Sequence, residues 1–457
     1  MSRNILVGGA PARRHLRRFD IRSVMLSTHA DGVVRLWDAS HGEVETNEAF
    51  EIDVAGVVRG ITPNVPVDII SLSMAGMTGE LVVGTYAGDI AIWRHGKRNR
   101  DDDFSDEVGD LSLSGGRDQR VLKSTKHLHF GVNEGFLPLC LVNPQRGAPI
   151  IVKMSEVGFI AIGYDTGSIC VVDLRGPAVI FLDDLTNMQS DRDKKERRKQ
   201  PPGTMEVATT MEFAIMKLEG DDYSSLVLIT GTSKGRVVAH ALVPTKTGGY
   251  ALRFHASTSF AAEGMVVSIL PIRTSDGVSV VATPGALAGL REGELTEGAT
   301  IIVQERAIRV LGGVTQKLEK YEVKDRVLVK GEIVARAVGI AVVVVGNNRR
   351  VTAWSVPDIQ RIAEVGLPNH VVVDRLHESV ITPDGDLFCW TDKMECSLFT
   401  IFGRGLKISD IPADALYDAL KTVPARPTIS NLQWIMGTQY ISTNDLNLLS
   451  NPLPYLL

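Results

Sequence analysis

The chain has 457 residues, 44% of them hydrophobic and 23% charged, with a formal net charge of -5. That is enough apolar material for a sizeable core, and the charge balance excludes a global pull toward nucleic acid or anionic membrane, leaving only local patches for such contacts. The four cysteines, at 140, 170, 389 and 396, form no CxxC pair or disulfide-like framework, which fits reduced thiols in a cytosolic setting.

Residues 1–22 form a basic segment (Arg13, Arg14, Arg17, Arg18) with no apolar run behind it, so it does not read as a secretory signal. From residue 23 a unit recurs: an apolar strand, a turn, then an alternating strand. Its first copy holds ADGVVRLWDASHG (30–42), with the turn at Gly32, where glycine takes positive φ without steric cost. Later copies turn at Gly88 (ELVVGTYAGDIAIW), Gly167 (GFIAIGYDTGSICVV), Gly235 (SLVLITGTSKGRVVAH), Arg306 (ATIIVQERAIRVL), Arg349 (IAVVVVGNNRRVTAW) and Gly385 (ESVITPDGDLFCW). The slot five residues after the turn holds Trp37, Trp93, Val172, His240, Leu311, Trp354 and Trp390, so four of the five tryptophans share one structural position in the repeat.

Positions two and four after each turn are apolar in all seven copies, from Val34 and Leu36 to Leu387 and Cys389. A period of two kept in every copy means that each of these strands turns one face into a common core. The last two turn-to-turn spacings, 43 and 36 residues, are close to the ~40–45 residues of a propeller blade. The longer spacings hold polar insertions at 96–126 and 183–206, which read as surface loops. The expectation is an all-β chain: a seven-bladed, WD-repeat-like β-propeller over 23–402.

Several motifs have chemical readings that their context opposes. GTSKG (231–235) matches G-x-S-x-G, but a nucleophile elbow needs a following helix, whereas here a second strand follows the turn. His127 and His129 share a strand face without the further ligands zinc needs. The acids from Asp101 to Asp110 lack calcium-loop spacing. No converging acid, base or metal constellation stands out, so the expectation is no enzyme, no cofactor and no metal. The longest largely apolar run, 337–345, is too short to cross a membrane and reads as a buried strand.

The run DRDKKERRK (191–199), followed by Gln-Pro-Pro-Gly, is a surface loop. Its cations Lys194, Lys195, Arg197, Arg198 and Lys199 are candidates for contact with anionic membrane or an acidic partner, each worth about 1 kcal/mol at an anionic surface. Beyond Phe402 the β pattern stops. ISDIPADALYDALKTV reads as a helix start capped by Ser409 or Asp410. The tail 403–457 is therefore partly helical, and Trp434, Ile435 and Tyr440 are candidates to dock it into a groove.

LWDASHG (36–42), MAGMTGELVVGTYAGDI (74–90), GFIAIGYDTGSICVVDLRGPAVIF (158–181) and GTSKGRVVAHALVP (231–244) together resemble the lethal giant larvae/tomosyn family, in its fungal branch of exocytosis regulators. The resemblance runs from about residue 20 to the end and covers the C-terminal half of such proteins, which carry two seven-bladed propellers and a tail. It implies a non-enzymatic role in polarised secretion and cell polarity: cytoplasmic, peripheral to the plasma membrane at sites of secretion. Implied partners are plasma-membrane SNAREs of the Qbc or syntaxin type, a secretory Rab-type GTPase and an exocyst subunit, and no nucleic acid. The resemblance also implies a tail that folds back on the first propeller and a polybasic membrane loop, here without the repeated serines of animal members. The alternative is a general β-propeller scaffold in a trafficking or coat complex.

Overall fold

The computed structural model of the chain describes residues 24–38, 45–97, 122–126, 128, 134–188, 205–246, 248–336, 339–383, 385–392 and 395–401. They form seven antiparallel sheets, the blades of a propeller. Blade 3 shows the plan: Ile151–Met154 innermost, then Phe159–Gly163, Ser168–Asp173 and, outermost, Ala178–Asp184. Blades 4 (Ala208–Lys217, Ser224–Thr232, Arg236–Pro244, Tyr250–Ser259), 5 (Val266–Arg273, Gly298–Gln304, Ala307–Gly312, Gln316–Glu322) and 6 (Leu328–Arg336, Gly339–Gly346, Arg350–Ser355, Arg361–Gly366) repeat it. Blade 2 (Ile69–Ala75, Glu80–Thr85, Ile90–Lys97, Glu134–Val142) adds Leu122–Ser124 outside. Blades 1 (Val24–Thr28, Val33–Asp38, Glu45–Asp53) and 7 (Val380–Ile381, Asp386–Trp390, Cys396–Thr400) have three strands each.

All fourteen side chains at positions two and four after the turns are buried, none more than 7% exposed. The single-face expectation is exceeded in the middle blades, where Ala91, Cys170, Val238 and Ala307 on the opposite face are buried too. A blade between two neighbours has no solvent side. The polar residues there survive because each bonds locally: Asp89 accepts from Asn143 at 2.8 Å, and Ser168 donates to Asp184 at 2.5 Å. Of the four aligned tryptophans, Trp93 and Trp354 are fully buried, while Trp37 and Trp390 in the end blades are half-buried.

The turn residue also joins one blade to the next. The carbonyls of Gly32, Gly167, Gly235, Arg306 and Arg349 accept the N–H of Ala55, Leu185, Phe260, Val323 and Leu367, each just past an outermost strand. The chain therefore crosses to the next blade directly over the preceding turn. At Gly235 (φ +71) an added Cβ would lie 2.5 Å from the Gly264 carbonyl, so this close approach requires glycine. Arg349 meets the same demand at φ +60; Arg306 is not among the positive-φ residues, and its hairpin closes with Gln304 paired to Ala307.

Around the axis, polar side chains of the innermost strands stitch neighbouring blades. Ser71 donates to Pro149 O (2.5 Å) and Ser73 accepts from Met154 N (2.9 Å), joining blade 2 to blade 3. Lys153 pairs with Glu212 at 2.6 Å, joining 3 to 4; Thr209 donates to Val266 O (2.6 Å), joining 4 to 5. Ser268 accepts from Gly331 N at 3.0 Å, joining 5 to 6.

Candidate functional site

In a four-stranded antiparallel blade, the turn between strands two and three lies on the same face as the crossover to the next blade. The seven repeat turns and the inter-blade crossovers thus share one face, here the turn face. It carries two cationic features.

The first is a pocket of about 700 Å³ between blades 5 and 6, lined by Glu263, Arg306, Lys320 and Glu322 and by residues 323–327. Its carboxylates are already engaged. Glu263 bonds Arg309 and, at 2.8 Å, Lys320. Burial alone would raise its pKa, but Lys320 and Arg309 outweigh that and hold the carboxyl below its usual range. Glu322 bonds Lys320 at 2.5 Å, and Asp325 lies 3.5 Å from Arg326 Nε. The cations are in excess. Arg306 and Lys324 make no direct ion pair among the described residues. The Arg326 side chain is only 6% exposed; it donates through Nη2 to Glu364, while Nε has only the Asp325 carboxylate at 3.5 Å and Nη1 has no hydrogen-bond partner among the described residues. Buried guanidinium donors left unpaired are costly, and a bound anion is the complement that such a pocket takes best.

The second feature is the crossover 185–207, which contains the basic run. Lys194, Lys195, Arg197, Arg198 and Lys199 lie outside the described residues, but both ends of their segment are fixed by one side chain. Arg236, 5% exposed, donates to Leu185 O at 2.7 Å, to Met188 O, and to the Glu206 carboxylate at 2.9 and 3.1 Å. Arg236 therefore ties Leu185 and Met188, before the basic run in sequence, to Glu206 after it.

The axis holds a charged cluster of a different kind. Beside the Lys153–Glu212 pair, blade 6 brings in Lys330 and Glu332. Burial lowers the Lys330 pKa, whereas burial and the Glu212 charge raise that of Glu332. Burial opposes the charge on Lys153, yet Glu212 keeps its pKa above the ordinary value. The contacts run between blades, so this cluster is part of the stitching.

Ser233 of GTSKG stands in the hairpin turn between Ser224–Thr232 and Arg236–Pro244, with Oγ accepting from Val207 N at 3.1 Å. It is a brace for the crossover, with no helix behind it. Cys389 is buried, and burial pushes its thiol pKa up to about 12. His127, His129, the acids 101–110, and Trp434, Ile435 and Tyr440 lie outside the described residues, as do segments 1–22 and 403–457. Among the described residues, no helix is long and apolar enough to cross a membrane, and no group of three or more residues could hold a metal ion. Sequence reasoning missed Arg236, whose only signal is a cation at a strand start, one it shares with Arg350 while other repeats carry Asp89 or Ser168 there. It also missed the pocket, assembled from four separate stretches.

A family model described as lethal giant larvae (Lgl) like, C-terminal, matches residues 66–451. The Saccharomyces cerevisiae "Lethal(2) giant larvae protein homolog SRO77" is 28% identical over 471 residues, covering 98% of this chain and 45% of the yeast protein. The Schizosaccharomyces pombe "Uncharacterized protein C1F3.03" is 24% identical, covering 97% of this chain and 42% of that protein. The chain thus spans less than half the length of these curated relatives. Among solved structures, the Saccharomyces cerevisiae Sqt1 matches with a TM-score of 0.41 at 9% identity over 73% of this chain and 75% of its own. The Cps50 (Swd1) β-propeller domain of Myceliophteria thermophila matches at 0.39 and 14%, over 76% and 83%.

Proposed function

The chain belongs to the lethal giant larvae family, and on that premise we propose that it is a non-enzymatic regulator of polarised exocytosis that works by docking proteins. Family membership over residues 66–451 is the observation that carries this reading. Its partners are plasma-membrane SNAREs of the Qbc or syntaxin type, with a secretory Rab-type GTPase and the exocyst as further contacts. It acts in the cytoplasm, peripherally at the plasma membrane. The propeller spans 23–402, with a basic segment before it and a tail after it.

The turn face supports this reading on this chain. It combines an anion-accepting pocket with the Arg236-tied crossover that contains the basic run, so an acidic protein surface or anionic headgroups would meet cations at two points. Lys194, Lys195, Arg197, Arg198 and Lys199 supply the membrane or partner contact. Trp434, Ile435 and Tyr440 dock the tail.

The test is equilibrium binding of the full chain to purified cytosolic SNARE domains, with coat subunits in parallel. Saturable binding to a plasma-membrane SNARE that weakens with salt supports the proposal. Binding to coat subunits alone favours the general scaffold and overturns it.

A further inference from the structure

Arg326 is seated in the pocket between blades 5 and 6 by packing as much as by charge. Its stem lies against Gly346, where an added Cβ would come within 2.7 Å of Arg326 Cδ, so the glycine makes room for the side chain. The backbone beside it is fastened to the next hairpin: Val327 N donates to Asn347 Oδ1 at 3.1 Å, and Asn347 N donates to Val327 O at 2.8 Å. Arg306 is anchored too. Its N–H donates to Glu263 O at 3.1 Å, and its carbonyl accepts from Val323 N at 2.8 Å, one residue before Lys324. Three lining cations therefore stand on or beside fixed backbone. Among them Arg326 Nη1 is buried and unpartnered among the described residues.

Charge and donor geometry decide which anion fits. Arg306, Lys320, Lys324 and Arg326 face Glu263, Glu322 and Asp325, so the lining carries one net positive charge. Lys320 is already engaged by Glu263 and Glu322. A polyphosphate would bring more negative charge than this lining balances and would meet three carboxylates. A carboxylate presents two oxygens in one plane, which a single guanidinium satisfies. A phosphomonoester carries about -1.5 to -2 and three acceptor oxygens, so it can accept from Arg306, Lys324 and Arg326 Nη1 together. The volume of about 700 Å³ is ample for a phosphorylated side chain. Lys324 and Asp325 are exposed at the rim, so the group can arrive on a larger body.

We propose that this pocket takes a single phosphorylated side chain of a docked protein, so that phosphorylation of the partner strengthens its hold on the turn face. This rests on the reading of that face as a docking surface, and it adds the chemical identity of the group received and a means of switching the contact.

The test uses the full chain and fluorescein-labelled degenerate peptide pools centred on phosphoserine, serine or glutamate, read by fluorescence anisotropy. The phosphoserine pool should bind at least tenfold tighter than the other two, and inorganic phosphate should compete. The preference should be lost in Arg306→Gln/Lys324→Gln and in Arg326→Gln. Should Arg326→Gln fail to fold for want of its bond to Glu364, the exposed pair still decides. No histidine lines the pocket, and Lys320 holds Glu263 and Glu322 below the usual carboxylate range. The phosphate's second pKa is about 6, so the preference should shrink severalfold between pH 7.5 and pH 5. Equal binding of the three pools, or a preference untouched in both variants, would overturn the proposal. So would binding of inositol hexakisphosphate with the phosphoserine pool silent, which would assign the pocket to a soluble polyphosphate. Binding of an unphosphorylated plasma-membrane SNARE domain is measured on the same samples. SNARE binding without a phosphoserine preference overturns this inference alone; the preference without SNARE binding supports it and overturns the named partner instead.

Discussion

His240 occupies the tryptophan slot of blade 4 and should impose a defined pH dependence on stability. It is fully buried between Phe181 of blade 3 and Phe254 of its own outermost strand, with ring centroids 5.2 and 5.8 Å away. Neither ring nitrogen has a hydrogen-bond partner among the described residues. Burial, with the Arg236 charge adding to it and Asp183 opposing, lowers its pKa from 6.5 to about 4. Above pH 6.5 the imidazole is neutral in both folded and unfolded chains and contributes no pH dependence. As pH falls below 6.5 the unfolded chain takes up the proton first, so stability declines until the folded group protonates near 4. At pH 5 the bias is ~30-fold, or about 2 kcal/mol. His240→Leu removes the titration and keeps the slot filled. Urea unfolding at pH 7.5 and pH 5, followed by tryptophan fluorescence, should show the unmodified chain losing about 2 kcal/mol more than His240→Leu between the two conditions. Equal losses in the two proteins would refute the reasoning, since all other titrating groups cancel in the comparison.

Trp354→Ala should cost about 3–5 kcal/mol in denaturant unfolding, because the ring is fully buried, packs against the tilted ring of Tyr321 with centroids 4.3 Å apart and donates to Thr352. Trp390→Ala, half-buried beneath Arg375, should cost clearly less by the same assay. Gly235→Ala should destabilise by more than about 2 kcal/mol, combining a left-handed backbone with the clash against the crossover. Gly220→Ala, with open space at φ +86, should lose only about 1 kcal/mol. Arg236→Met should cost about 3–5 kcal/mol, since Glu206 and two carbonyls lose their donor, and limited proteolysis should then cut within 189–204 faster.

What was legible in the sequence was what repeats. The fourteen inner slots could be read because a period-two pattern needs only local registry, and all fourteen side chains are buried. Four tryptophans aligned for the same reason. The cover on the opposite face could not be read, because Ala91 and Cys170 are buried by neighbouring blades, and a strand's sequence does not say what lies across from it. The pocket stayed hidden for a related reason. Glu263, Arg306, Lys320 and Arg326 come from two crossovers, one turn and one outermost strand, and only the packing of blade 5 against its neighbours brings them together. Arg236 looked like an ordinary strand-start cation; its role emerges once Leu185, Met188 and Glu206 converge on it. The basic run was conspicuous by composition alone, which locates a charge without saying what holds it.

The central claim, that this chain works by docking an acidic partner on the turn face, is tested most directly by mapping hydrogen exchange of the full chain with and without a saturating plasma-membrane SNARE domain. Protection should concentrate at residues 262–263, 306 and 320–327, and should be lost in Arg306→Glu/Lys324→Glu. Protection confined to the opposite face, or binding unaffected by that charge reversal, would contradict it.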